Sequence, residues 1–142
     1  MRIIAVRRDD RLSPNSVEKD KAILQAVCNR LPYDVAMIDE CKLSENDEAD
    51  IFLSMARLPE TLTLLKAKED AGAVVVNSAY GVEACGRSML DNLMRNNNIP
   101  VPPAEGNHGY WLKRGDAAAQ SKSDVVYCKD RETLAEKEAD FV

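Results

Sequence analysis

Two cationic side chains in this sequence have the chemistry to bind phosphate. Lys113 lies in a predicted strand over residues 110–114, and Arg87 lies on a predicted helix. An ammonium group binds phosphate as a point charge, whereas a guanidinium offers a planar fork of N–H donors. Each residue also has a simple structural interpretation. Lys113 could be an exposed lysine beside a strand. Arg87 could belong to an alternating-charge series with Glu83, Asp91 and Arg95 on one helix face.

Three arginines surround the carboxyl end of the first predicted strand, residues 2–7. They are Arg7, Arg8 and Arg11, and their guanidinium forks suit a carboxylate substrate. A solvated, charged loop is the simpler alternative.

Polar residues also follow the strand predicted at residues 73–76. Asn77 and Ser78 come directly after it, and ligands of parallel α/β proteins bind at the carboxyl ends of strands. Turn and helix-capping chemistry explain the same two residues without a ligand, with Ser78 as the N-cap of the next helix. Both interpretations stay open at this point.

Composition argues against several classes of function. The net charge of −5 argues against a nucleic-acid or anionic-membrane surface, and no apolar run approaches the length of a membrane span. One histidine, His108, makes a multi-histidine metal site impossible within one chain. The four cysteines show no C-x-x-C spacing, so we expect reduced thiols in a cytoplasmic protein, without a disulfide or zinc site.

The stretch over residues 73–103 combines the elements that must position these side chains. A β-branched run at 74–76 predicts a strand covered on both faces. Apolar residues at helical spacing then predict one long amphipathic helix after Ser78. The proline-rich segment 99–103 predicts an extended exit from that helix.

The whole chain predicts an α/β fold. Strands at 2–7, 34–39, 51–56 and 73–76 alternate with helices, one starting at Ser13-Pro14 and one at Pro59 and ending at Gly72. This order predicts a Rossmann-like parallel sheet of four to five strands with helices on both faces. Beyond it, residues 110–114 and 124–129 predict a small β-hairpin, and Asp130 can cap a short final helix.

The order of these features resembles the ATP-grasp superfamily, in particular glutathione synthetases, ribosomal-protein glutamate ligases and D-alanine–D-alanine ligases. In that family an asparagine-containing turn precedes a helix that bears a lysine, and the helix ends in a segment like G-I-P-V-P. A strand lysine and a flexible phosphate-covering loop follow. Here Asn77-Ser78 matches the turn, Arg87 takes the place of the helix lysine, and Lys113 matches the strand lysine. Residues 99–102 match the proline segment, and residues 115–123 match the loop.

The resemblance implies two parts, a pre-ATP-grasp domain over residues 1–103 and a partial N-terminal lobe of the ATP-binding domain over 104–142. It implies a ligase that phosphorylates a carboxylate with ATP and lets an amine displace the phosphate. Lys113 and Arg87 would bind the nucleotide. Asn77, Ser78 and Arg8 would contact the carboxylate substrate, and no catalytic residue is assigned.

ATP and Mg²⁺ are implied for the full-length protein. Phe141-Val142 matches the start of the hinge strand that lines the adenine, and the family's metal-binding acids and asparagine would follow it. We therefore interpret the chain as an N-terminal fragment, and expect that it lacks catalysis, binds ATP weakly or not at all, and holds no bound cofactor. Its expected partners are the remainder of the ATP-grasp domain and a small carboxylate, with a homodimer as an open question.

Two departures from the family pattern stand out: Arg87 replaces a lysine, and the loop lacks repeated glycines. The alternative is a stand-alone Rossmann-like module that binds a small ligand or a protein without catalysis.

Overall fold

The structure is a computed structural model that describes residues 1–115 and 124–140. The chain divides into two compact units, Met1–Ala84 and Cys85–Val142, and each is described by itself. The domain boundary expected at residues 103/104 stays a prediction. Most of the predicted phosphate-covering loop, residues 116–123, and the predicted hinge start at Phe141-Val142 lie outside the described residues.

The first unit contains a four-stranded parallel sheet, as predicted. Its strands lie in the order β2-β1-β3-β4, and β1 pairs in register with both β2 and β3. β1 is central and its apolar residues are buried, which explains its continuous run of isoleucine, alanine and valine. The strands are β1 (Ile3–Arg7), β2 (Val35–Asp39), β3 (Ile51–Ser54) and β4 (Val74–Val76).

Helices cover both faces of this sheet. Leu24 and Cys28 of α1 (Val17–Cys28) pack near Ala5 on one face. Leu62 and Leu65 of α2 (Pro59–Asp70) pack on the other face, together with α3 (Ala79–Ala84). Short 3₁₀ turns occupy Asp10–Leu12 and Glu40–Lys42.

The predicted start of α1 at Ser13-Pro14 is wrong. The N–H of Ser16 donates to the carbonyl of Ser13 at 2.9 Å, so these residues form a separate turn. The helix begins at Val17. A serine–proline pair satisfies a turn as well as a helix start, because proline fixes the same φ in both.

The expectation that β4 is covered on both faces is also wrong. Val75 is buried, but Val74 and Val76 are 57% and 48% exposed. β4 lies at the edge of the sheet. The buried residues of α1 pack around Ala5 in β1 and leave these valines uncovered.

The end of α2 confirms the role predicted for Gly72. Its φ is +99°, its N–H donates to the carbonyl of Glu69, and the N–H of Ala73 donates to that of Lys68. These two bonds define a Schellman motif, which closes the helix and directs the chain into β4.

The single long helix predicted after Ser78 is divided in two. α3 ends at Ala84, and α4 (Arg87–Asn96) begins after Gly86, whose φ of −53° and ψ of 137° are extended. Glycine has low helix propensity, so the helix is interrupted at Gly86. The apolar periodicity of the sequence nevertheless continues beyond that residue. Of the predicted charge series, only the Asp91–Arg95 pair forms, at 2.7 Å.

The second unit contains the predicted hairpin and final helix. β5 (Tyr110–Lys113) and β6 (Val125–Cys128) pair antiparallel, and α5 (Arg131–Ala139) packs against them. Asp130 caps α5 by accepting the N–H of Thr133 at 2.8 Å. The four cysteines are free thiols, as predicted. No helix in the described part of the chain has the length and apolarity of a membrane span.

We expect opposite effects from two glycine substitutions in the first unit. Gly72→Ala places a side chain at positive φ and should lower the free energy of unfolding by about 1–2 kcal/mol. Gly81→Ala lies in α3 with no neighbouring atom closer than 4.0 Å to the new Cβ. It should raise that free energy by about 0.5–1 kcal/mol. Urea unfolding measures both changes, and equal effects would contradict the assigned helix end.

Candidate functional site

The carboxyl edge of the first unit's sheet contains the place where a ligand would be expected. β1 and β3 are neighbours, but α1 leaves β1 for one face and α2 leaves β3 for the other. Such a divergence opens a crevice at the strand ends, which is the usual ligand site of open α/β sheets.

In this protein a buried carboxylate occupies that crevice. Glu40, directly after β2, is 1% exposed. Its Oε1 accepts the N–H of Asp9 at 2.5 Å, and its Oε2 accepts the N–H groups of Arg57 and Leu58 at 2.7 and 2.8 Å. Asp9 follows β1, whereas Arg57 and Leu58 lie between β3 and α2. The carboxylate therefore uses the backbone donors that an anionic ligand would need.

Local contacts explain why Glu40 is stable there. The hydroxyl of Thr61 in α2 donates to the Glu40 carbonyl at 3.0 Å. Leu58 is the N-cap of α2, and a negative charge is favoured at a helix N-terminus. Within the described residues, no buried side-chain polar atom lacks a hydrogen-bond partner. Glu40 was not predicted as a site residue. Its only signal in the sequence is the position of an acidic residue directly after a predicted strand.

The arginines at the end of β1 are engaged with acidic partners. Arg7 bonds Asp39 at 2.6–2.7 Å and also contacts Asp10. Hydrogen bonds from Arg7, and then from Lys42, hold the pKa of Asp39 below its usual range. Arg11 pairs with Asp9 at 2.8 Å, and its side-chain and then its backbone hydrogen bond lower the pKa of Asp9 to about 2.

Arg8, expected to contact a substrate carboxylate, also has structural partners. Its Nη1 donates to Asp20 of α1 at 3.1 Å and its Nε to the carbonyl of Met55 at 3.4 Å. Both contacts tie the end of β1 to its neighbours. A substrate role for Arg8 stays a prediction.

Asn77 and Ser78 form the turn after β4, as their residue types indicate. Asn77 adopts a φ of 61° and its side-chain amide donates to the carbonyl of Ser54 at 2.7 Å. The Ser78 carbonyl accepts the N–H of Val82, the first bond of α3. The N–H of Ala79 donates to Glu69 at 3.0 Å. Asn77 thus contacts the last residue of β3 and Arg8 contacts the residue after it. Their substrate roles remain predictions.

In the second unit, α4 begins beside the end of β5. Nη1 of Arg87 donates to the carbonyl of Arg114 at 2.6 Å, one residue after Lys113. A Cβ on Gly115 would lie 3.1 Å from Oγ of Ser88, so the backbone here approaches α4 closely. The structure therefore places Arg87 next to the strand end that carries Lys113.

The described residues around this strand end carry a net positive charge. Lys113 is exposed and has no hydrogen bond or ion pair with any residue that the structure describes. The adjacent Arg114 pairs with the buried Asp124 at 2.9 Å and is neutralised. The first turn of α4 contains no acidic residue, and no side chain caps it. Among the described residues, the positive charges of Arg87 and Lys113 and the partial positive charge at the N-terminus of α4 are therefore not compensated by an acidic side chain.

A metal site is not formed by the described residues. Residues 1–115 and 124–140 contain no group of three or more histidine, cysteine, aspartate or glutamate side chains that could hold a metal ion.

Comparison of the chain with protein-family models, with curated proteins and with solved structures finds no match.

We expect Glu40→Ala to lower the free energy of unfolding by about 2–4 kcal/mol. Each orphaned N–H costs roughly 1–3 kcal/mol when buried, and solvent can reach these three in part. Glu40→Gln keeps one acceptor oxygen and should have an intermediate effect. Glu48→Ala, an exposed acid in the same β2–β3 connection, serves as the control and should change stability by less than about 0.5 kcal/mol. Equal stabilities of the two alanine variants in urea would exclude the proposed role of Glu40.

Proposed function

We propose that this chain carries phosphate-binding residues of an ATP-grasp-type carboxylate–amine ligase. The observation that carries the proposal is the hydrogen bond from Arg87 to the carbonyl of Arg114. It joins the start of α4 to the end of β5, the two places where the family pattern has its cationic residues. Lys113 and Arg87 are the nucleotide-binding residues of this proposal.

The electrostatics of the two units support the same assignment. Arg7, Arg8 and Arg11 each have an acidic partner in the first unit. Within the described residues, Lys113 has none, and Arg87 donates to a neutral carbonyl. A polyanion gains most where positive charge is not already compensated.

The strand ends of the first unit are an unfavourable place for a phosphate, which supports the proposal. Glu40 holds the three backbone N–H groups at its crevice, so a phosphate that needed those donors would meet like charge. Phosphate binding in this chain is accordingly assigned to α4 and β5. Asn77, Ser78 and the guanidinium of Arg8 remain the proposed contacts of the carboxylate substrate.

In such a ligase ATP phosphorylates a carboxylate, and an amine then displaces the phosphate. Cations contribute to phosphoryl transfer by holding and neutralising the phosphate oxygens. In this proposal, Lys113 and Arg87 would hold and neutralise the phosphate oxygens.

A second candidate, a protein-interaction module without catalysis, is favoured by one observation. Val74 and Val76 present an uncovered apolar surface at the edge of the sheet, and exposed apolar patches often mark protein contacts. This candidate predicts self-association or partner binding that nucleotide leaves unchanged.

The test is a titration of Mg-ATP with the chain, followed by ³¹P NMR of the three phosphates. Two charge-assisted contacts, at about 1.5–3 kcal/mol each, correspond to a Kd on the order of 1 mM. Lys113→Met and Arg87→Met should each weaken binding about tenfold or more. Lys129→Met is the matched control, an exposed lysine just after β6, and should bind ATP as the parent chain does.

Two outcomes would contradict the proposal. One is the absence of any ³¹P shift at ATP concentrations well above that range. The other is equal binding by the parent chain, Lys113→Met and Arg87→Met. Micromolar binding would contradict the expectation that this chain binds ATP weakly.

A further inference from the structure

The outer edge of β4 is an uncharged backbone surface. β4 lies at one end of the sheet and pairs with β3 on its inner side. Edge strands expose N–H and C=O groups to which another strand can add, and proteins usually protect them with charged side chains or proline. Residues 71–78 have the sequence AGAVVVNS and contain neither kind of protection.

The backbone of Val75 faces this outer edge. The N–H of Val74 donates to the carbonyl of Asp50 at 2.9 Å, so Val74 directs its backbone groups toward the β3 side. Consecutive residues of a strand direct these groups to opposite edges, and Val75 therefore directs its N–H and carbonyl outward. Among the described residues, no turn, loop or cap supplies either group with a backbone partner.

The side chains of β4 are arranged symmetrically about the same residue. Val75 is buried with the apolar residues of α2, whereas Val74 and Val76 are exposed on the opposite face of the sheet. If two β4 strands lie antiparallel about a two-fold axis at Val75, the two Val75 residues exchange both backbone hydrogen bonds. Val74 then lies opposite the partner's Val76 in a pair without hydrogen bonds, where side chains approach most closely. The strand is therefore complementary to a second copy of itself.

We propose that β4 is a dimerisation surface, at which the β4 strands of two copies pair antiparallel about Val75. The two four-stranded sheets become one continuous sheet, and the exposed valines of both copies contact each other on one face. The inference assigns a specific partner to these valines, a second copy of the chain. It does not depend on the phosphate site proposed for Lys113 and Arg87.

Charge explains why β4, rather than the other edge strand, is the contact. Each copy carries a net charge of −5, so two copies repel each other in general. β2 follows Asp34 and ends at Asp39, and a second β2 paired antiparallel would add the same acids at each end. Like charges that face each other across a contact are unfavourable. The uncharged residues 71–78 avoid that repulsion.

The contact is small, which limits its strength. Stable interfaces bury about 800 Å² on each partner, more than a three-residue strand with two exposed valines provides. Contacts of this size are transient, and we expect a Kd on the order of 0.1–1 mM. The two-fold contact uses the β4 edge of both copies, so the assembly closes at two chains.

Sedimentation equilibrium of the whole chain tests the inference at concentrations from about 10 μM to about 2 mM, which bracket that Kd. The average mass should rise toward that of two chains. Val74→Lys places an ammonium group against the partner's Val76 and should weaken the dimer about tenfold or more. Ala36→Lys is the matched control, because it adds the same charge at an exposed position of β2. It should dimerise as the parent chain does.

Hydrogen exchange of the Val75 amide, followed by NMR, tests the strand pairing in the unmodified chain. Its exchange rate should fall about twofold or more between the lowest and highest concentrations, because pairing supplies this N–H with an acceptor. The amide of Val74 is bonded to Asp50 within each copy. Its exchange rate should change less and serves as the internal reference.

Three results would overturn the inference. A chain that stays monomeric over the whole range does not pair through β4. Equal dimerisation of Val74→Lys and Ala36→Lys places the contact elsewhere, and a dimer in which Val75 exchange is independent of concentration lacks the strand pairing. Lys113→Met should leave the dimer unchanged, and Val74→Lys should leave the ³¹P shifts of ATP unchanged, so each proposal can fail without the other.

Discussion

The carboxylate of Glu40 is the interaction on which the first unit depends. It joins the loop after β1 to the segment between β3 and α2 through three backbone hydrogen bonds. Its own carbonyl is bound by Thr61 of α2. Because α1 and α2 leave these strands for opposite faces, a gap opens between the strand ends. An internal anion closes that gap and satisfies donors that would otherwise be orphaned.

This closure occupies backbone N–H groups that an anionic ligand would otherwise use. The crevice that most open α/β sheets offer to a phosphate already contains a negative charge here, and the arginines around it are paired with Asp9, Asp10, Asp20 and Asp39. The second unit differs, since its buried acid, Asp124, is compensated by Arg114. Among residues 1–115 and 124–140, Lys113 has no acidic partner, and the first turn of α4 contains no acidic residue. The charged residues at the strand ends of the first unit therefore stabilise its fold, whereas the proposed ligand-binding cations lie in the second unit.

Sequence patterns predicted the elements well where one local signal dominates. The runs of β-branched and apolar residues located all four parallel strands, Gly72 located the end of α2, and Asp130 located the start of α5. Prediction failed where local and tertiary factors compete. Gly86 interrupts a helix whose apolar periodicity continues, and Val74 and Val76 are exposed because the sheet ends at β4. Composition cannot show which strand lies at an edge.

The candidate site was predictable only in part, for a physical reason. Lys113 and Arg87 were identified from their places in a family-like order, but the sequence could not show that Arg87 contacts the carbonyl of Arg114. Glu40 was not predicted, because the residue type alone does not show whether a glutamate is buried or exposed to solvent. Its role depends on N–H groups from two loops distant in sequence, and no spacing rule connects them.

The central claim is that the anion-binding residues of this chain lie at α4 and β5, because Glu40 already fills the crevice of the first unit. An amide-resolved NMR titration with ATP tests it in one measurement. The account predicts that the backbone signals of Ser88, Lys113 and Gly115 shift, while those of Asp9, Arg57 and Leu58 remain in place. Shifts at Asp9, Arg57 and Leu58, without changes near Lys113, would contradict it.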